Sequence, residues 1–118
     1  MIDDNEVLRT AVSRLLRTEG FRVLEAEDGR SGVDLFQVHK AAIDVIVLDL
    51  NLPRVSGREA MRELQQIRPG AKVILATTFS KDIALTALGG LFPWGYIQKP
   101  YLLSELVDVL QKACKTGQ

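Results

Sequence analysis

Apolar positions along the chain alternate between two spacings. Val7, Leu8, Ala11, Val12, Leu15 and Leu16 recur at helical period, and Gly20 follows as a stop. Phe21 to Ala26 reads as a short strand. Asp28 is placed to cap a helix carrying Val33, Leu35, Phe36 and Val38. Asp44 to Leu48 is almost continuously apolar and β-branched, the pattern of a strand buried on both faces. The stretch from Asn51 to Ser56, with Pro53, reads as a loop. Gly57 opens a helix with Ala60, Met61, Leu64 and Ile67 inward, and Pro69-Gly70 ends it. Lys72 to Ala76 repeats the buried-strand pattern. A helix over 81–88 follows, ended by Gly89-Gly90, then a strand over 95–98. Ser104 is a candidate cap for a last helix with Leu106, Val107, Leu110 and Ala113 on one face.

Strands alternating with helices predict an α/β fold, a parallel sheet covered on both faces. Right-handed crossovers make it doubly wound. No repeat, low-complexity tract or linker interrupts the pattern, so residues 1–118 read as one domain with no helix-turn-helix or other output module. Composition narrows the class further. Hydrophobic residues are 47% of the chain and charged residues 25%, a globular balance. Lys plus Arg and Asp plus Glu are 15 each, so nothing marks a basic surface for nucleic acid or anionic membrane. No apolar run approaches the roughly 20 residues of a membrane span. The one cysteine, Cys114, has no partner for an internal disulfide, which fits a reducing cytoplasm. His39 sits near a helix end, where a cation suits the dipole, and reads as structural.

In a doubly wound sheet the chemistry lies beyond the carboxyl ends of the strands. Asp3 and Asp4 precede the first helix; Asp49, Thr77 and Lys99 each follow a strand. Each residue alone has a plain explanation as a cap, turn residue or solvated charge. Together they place three carboxylates, a hydroxyl and an ammonium at one sheet edge. Clustered carboxylates repel unless a cation joins them, and hard oxygen ligands suit Mg²⁺. The ammonium suits a phosphate, and a carboxylate can attack phosphorus to form an acyl phosphate.

With these residues in view, the chain resembles the receiver domain of bacterial response regulators and hybrid sensor kinases. The matching segments are Ile2-Asp3-Asp4-Asn5, Val45 through Pro53, Ser56-Gly57, Ile74-Leu75-Ala76-Thr77 and Gly95-Tyr96-Ile97-Gln98-Lys99-Pro100. They occur in order and span essentially the whole chain. The resemblance implies a flavodoxin-like five-stranded sheet of order 2-1-3-4-5. It implies Asp49 as phospho-acceptor, and Mg²⁺ held by Asp4, Asp49 and the Asn51 backbone carbonyl, with Asp3 acting through a bound water. Lys99 would bind phosphoryl oxygens, Thr77 would hydrogen-bond them, and Tyr96 would change rotamer with the switch. A cis peptide before Pro100 is also implied. The phosphoryl donor would be a histidine kinase or histidine phosphotransfer domain, and the output a downstream protein reading the 81–115 face. Homodimerisation through that face is left open. Such a domain is not a turnover enzyme; it catalyses only its own phosphorylation and dephosphorylation, and works in the cytoplasm.

The chain departs from the family in places. Receivers carry about five apolar residues before the acidic pair, a central strand, since strands run roughly 3–10 residues. Here only Met1 and Ile2 precede Asp3, so the first strand is largely absent from the numbered chain. Residues omitted upstream or a truncated start are the favoured explanations; pairing supplied by a partner is the other. Phe92 and Trp94 add bulk where small residues are usual, and are read as packing under the loop rather than as a partner patch. Thr78 stands where a smaller residue is common, narrowing access to Asp49. Three other functions compete. A pseudo-receiver would act as an interaction module without phosphate. A flavin protein would need a phosphate cradle where Asp3-Asp4-Asn5-Glu6 is acidic. An aspartate-nucleophile phosphatase would need an acid at position 51, which is Asn.

Overall fold

The computed structural model describes residues 1–52 and 55–115. Pro53, in the expected 51–56 loop, lies outside them. Five helices, α1 (Glu6–Thr18), α2 (Gly29–His39), α3 (Gly57–Ile67), α4 (Lys81–Leu88) and α5 (Leu103–Lys115), surround three strands, β1 (Ile46–Asp49), β2 (Val73–Thr77) and β3 (Gly95–Gln98). The strands form one parallel sheet of order β1-β2-β3, with Ile46 opposite Val73 and Ile74 opposite Gly95.

Strand alternation divides the core. Ile46, Leu48, Val73 and Leu75 point to one face and meet Phe36 of α2, Met61 and Leu64 of α3, and Leu88 of α4. Val47, Ile74, Ala76 and Ile97 point to the other and meet Val12 and Leu16 of α1 with Leu106 and Leu110 of α5. The sheet is therefore covered on both faces, as the continuous apolar runs require. Only part of the α1 stripe is buried: Val7 is 81% exposed, and Leu15 is also exposed.

The expected first and second strands shrink to single bridges. Ile2 pairs in parallel with both Leu48 and Ala26, so the order across the sheet is Ala26, Ile2, β1, β2, β3. That is the 2-1-3-4-5 order. Ile2 donates to the Val47 carbonyl at 2.8 Å and accepts from Asp49 at 3.0 Å. On its other side Ala26 donates to the Met1 carbonyl at 2.9 Å, and Asp3 donates to the Ala26 carbonyl at 3.1 Å. The expected strand over 21–26 survives only at Ala26, because a ladder needs a partner and only Met1 to Asp3 provide one.

Helix starts follow local chemistry. Asn5, Asp28, Ser56 and Ser80 cap α1 to α4, each accepting from a backbone N–H in the first turn. Ser104 does not cap α5, which already begins at Leu103; the Glu105 carboxylate instead accepts from the Leu102 N–H at 2.9 Å. Gly89 ends α4 at φ 58°, a left-handed conformation that favours glycine. Gly57 is required for closeness: a Cβ there would lie 2.3 Å from the Leu50 carbonyl oxygen. Gly57→Ala must push α3 from the end of β1, and a loss of about 2 kcal/mol is expected in urea unfolding.

Candidate functional site

The carboxyl ends of the parallel strands bring the expected residues together. Asp3 follows the bridging Ile2, Asp49 ends β1, Thr77 ends β2, and Lys99 follows β3. Backbone bonds fix their relative height: Asp49 donates to Ile2, and Lys99 donates to the Thr77 carbonyl at 2.7 Å. The Lys99-Pro100 peptide is cis, as the resemblance implied.

Lys99 is the hub. Its Nζ lies 2.7 Å from Asp3 Oδ2 and 3.4 Å from Asp49 Oδ2. The remaining carboxylate oxygens accept backbone bonds: Asp3 Oδ1 from Asn5 N–H at 2.9 Å, and Asp49 Oδ1 from Asn51 N–H at 3.1 Å. Asp3, Asp49 and Thr77 are buried while Asp4 is exposed at the mouth. Asp3, Asp4 and Asp49 can each offer one oxygen, all within 4.8 Å of one another. An oxygen-only, acidic donor set of this kind, open on one side, fits a hard divalent ion that keeps water ligands.

Burial raises the Asp49 pKa above its usual 3.8; the Lys99 charge and the Asn51 N–H pull it down, and the Asp3 charge adds to the rise. Lys99 is opposed by burial, but its hydrogen bond to Asp3 and the charges of Asp49 and Asp3 hold its pKa above normal. A raised carboxyl pKa means that the folded state binds its proton more readily than the unfolded chain. The associated stability is complete below the unfolded value and is lost as pH rises through the folded one. Asp49→Asn removes that penalty. In Mg²⁺-free buffer the variant is expected to melt a few degrees above the parent at neutral pH. The gap should close as pH falls below about 4.

Thr77 Oγ1 accepts from the Phe79 N–H at 3.2 Å, which ties the hydroxyl to the loop after β2. The Tyr96 hydroxyl donates to the Phe79 carbonyl, so β3 holds the same loop. Gln98 adds a bond to the Thr78 carbonyl at 3.1 Å. Phe92 is not packed under its loop as expected: it is 74% exposed, and Trp94, also exposed, has the Lys72 ammonium over its ring face, 5.7 Å from Nζ to the ring centroid. His39 occupies the last turn of α2.

Two contributors escaped the sequence reading. Arg9, on α1, donates to the Asp3 carbonyl at 2.8 Å and pairs with Glu25 at 3.3 Å, fixing the backbone that carries the acidic pair. Its one signal is position, four residues after the Asn5 cap and hence on the same side of the helix. Tyr101 has its hydroxyl buried without a hydrogen-bond partner among the described residues. Nothing in the sequence distinguishes it from an ordinary core aromatic.

Comparison with known proteins agrees with this geometry. The family model described as "Response regulator receiver domain" matches residues 1–111. The chain belongs to the response regulator receiver family. Among curated relatives, the probable transcriptional regulatory protein TcrX of Mycobacterium tuberculosis is 36% identical over 91% of this chain and 45% of its own length. The chemotaxis protein CheY of Thermotoga maritima is 26% identical over 98% of this chain and 95% of its own. The chain thus spans about half of the first relative and nearly all of the second. Among solved structures, the receiver domain of the Pseudomonas aeruginosa sensor histidine kinase PA1611, described with a magnesium ion in its active-site cleft, superposes with a TM-score of 0.87. It is 26% identical and covers 98% of this chain and 94% of its own. The receiver family binds Mg²⁺ in its active site, and its members serve two-component signalling with sensor kinases and effectors as partners. No helix among the described residues is long and apolar enough to cross a membrane.

Proposed function

We propose that this receiver domain accepts a phosphoryl group on Asp49 from a phosphohistidine of a histidine kinase or histidine phosphotransfer domain. The observation that carries the reading is the Asp3–Lys99–Asp49 arrangement, with Asp4 at its mouth and Thr77 on the adjacent strand. An Asp49 carboxylate oxygen forms the new O–P bond as the P–N bond to the donor imidazole breaks. The nitrogen leaves with the electron pair and takes its proton from solvent. Lys99, already between two carboxylates, follows the phosphoryl oxygens, and the Thr77 hydroxyl donates to one of them. Asp4, Asp49 and the Asn51 carbonyl would hold Mg²⁺ directly, with Asp3 acting through a water. The ion would supply charge neutralisation as the anionic donor approaches. Later attack by water on phosphorus returns the carboxylate and releases phosphate. The domain acts only on its own phosphorylated state, in the cytoplasm, and is not a turnover enzyme.

Output follows from the shared loop. Thr77 and Tyr96 both bond to Phe79, one at its N–H and one at its carbonyl. Drawing the Thr77 hydroxyl to a phosphoryl oxygen breaks the first bond and loosens the second, so Tyr96 can change rotamer. The face formed by α4, β3 and α5 would then present a different surface to a downstream protein. Phosphorylation biases this equilibrium only through its differential stabilisation of the two states. Thr77→Ala should therefore still accept the phosphoryl group. It should lose the phosphorylation-dependent change in Tyr96 ring signals seen by NMR.

Intact mass after incubation with Mg²⁺ and acetyl phosphate tests the reading. A gain of one phosphoryl group that disappears on adding EDTA is expected. Folded protein that binds Mg²⁺ and gains no mass, even from a phosphorylated histidine phosphotransfer domain, would favour the pseudo-receiver.

A further inference from the structure

Arg9 reaches the acidic pair through the main chain. It lies on α1 with 11% of its side chain exposed. Its Nη1 donates to the Asp3 carbonyl at 2.8 Å, and that carbonyl belongs to the peptide joining Asp3 to Asp4. Its Nε donates to Glu25 Oε1 at 3.3 Å. Arg17 donates to the other Glu25 oxygen at 3.2 Å and to the Val23 carbonyl at 2.7 Å. Arg17, Glu25 and Arg9 thus form a chain of charge-assisted bonds that runs from the 21–26 segment to the peptide before Asp4.

The two acids are anchored differently. The Asp3 N–H donates to the Ala26 carbonyl, and its carboxylate accepts from Lys99 and from the Asn5 N–H. The Asp4 carboxylate is exposed at the mouth, and no hydrogen bond to it is formed among the described residues. Its backbone alone sets where its oxygens stand, and Arg9 holds the peptide on which that backbone begins. Two effects of Arg9 on a bound cation oppose each other. Its charge repels the ion, while its bond to the carbonyl orders a ligand and so lowers the cost of binding. Glu25, at 3.3 Å, offsets the charge, so the ordering prevails.

We infer that Arg9 is a positioning residue for the divalent ion. By holding the Asp3–Asp4 peptide it presets the Asp4 carboxylate, and Glu25 keeps the guanidinium aimed at the Asp3 carbonyl. Arg9 therefore governs how tightly the ion is held, and has little part in how fast a fully loaded site reacts. The inference rests on the Mg²⁺ ligands proposed above and is independent of which side chain accepts the phosphoryl group.

The test is a Mg²⁺ titration of the full chain without phosphodonor, read by calorimetry and by the amide NMR shifts of Asp4 and Asn5. Arg9→Met should weaken Mg²⁺ binding about tenfold, the usual effect of losing a group that orients a metal ligand. Arg9→Lys should recover part of the loss, since an ammonium can still serve the carbonyl but lacks a second, separately directed donor for Glu25. Glu25→Gln, which keeps the bond to the carbonyl and loses its brace, should weaken binding by about threefold. With acetyl phosphate added, the Mg²⁺ concentration giving half the limiting rate should rise about tenfold in Arg9→Met, while the limiting rate itself changes less than about twofold. A general loosening of the site would lower both. Should Arg9→Met fail to fold, Glu25→Gln carries the same test with Arg9 in place. A folded Arg9→Met that binds Mg²⁺ as the parent does would overturn the inference, as would parent affinity in Glu25→Gln where Arg9→Met does not fold. A parent chain that takes up no Mg²⁺ would overturn the metal ligands proposed above together with it.

Discussion

Asp49→Asn is expected to abolish phosphoryl gain from both acetyl phosphate and a phosphohistidine donor, a loss of at least about 100-fold. The substitution is nearly isosteric. Its amide oxygen can still accept from the Asn51 N–H and from Lys99, whose ammonium keeps its ion pair with Asp3. What it loses is the anionic oxygen that must form a bond to phosphorus. Loss of chemistry with retention of fold is therefore the expected pair of observations. Circular dichroism and the raised melting temperature derived above check the second half. A variant that keeps its fold and still gains the group would move the acceptor to another side chain.

Lys99→Ala should have the second-largest effect, on stability and on chemistry together. Lys99 is the only cation contacting both Asp3 and Asp49 among the described residues. Its side chain is 15% exposed and that of Asp3 only 3%, so the pair is poorly served by solvent. Removing the ammonium leaves two buried carboxylates to repel each other. The expected cost is about 2–3 kcal/mol in urea unfolding at neutral pH. Added Mg²⁺ should recover part of that loss, because a second cation then joins the same carboxylates. Phosphoryl gain should remain slow even with Mg²⁺, by about 100-fold, since the positioned charge for the transferring oxygens is gone. A variant whose stability and rate are both restored by Mg²⁺ would reduce Lys99 to a structural counter-ion.

Much of this arrangement was legible because the sheet imposes order on the sequence. Val73 to Ala76 can only be a doubly buried strand, so the residue after it must lie at a carboxyl end, and that residue is Thr77. The same reasoning located Asp49 and Lys99. The fold of the amino-terminal edge was less legible. Phe21 to Ala26 has strand chemistry, yet a strand is a pairing, and its neighbour supplies one bridging residue. Ser104 carries a capping side chain, but α5 begins at Leu103, two residues before a Ser104 cap would start it, and the Glu105 carboxylate accepts from the Leu102 N–H instead. Phe92 lies in a loop without periodicity, where composition does not say which way a ring faces. Arg9 was invisible as a site residue because its contact is with a backbone carbonyl, which every residue possesses.

The central claim is that the acceptor is the carboxylate of Asp49. The most direct measurement is reductive trapping. Phosphorylated protein is treated with borohydride, which reduces an acyl phosphate to the alcohol, and the digested peptides are sequenced by mass spectrometry. The account predicts homoserine at position 49 alone, only when Mg²⁺ was present during phosphorylation. Reduction at another carboxyl group, or a phosphoryl group that survives borohydride intact on a hydroxyl side chain, would contradict it.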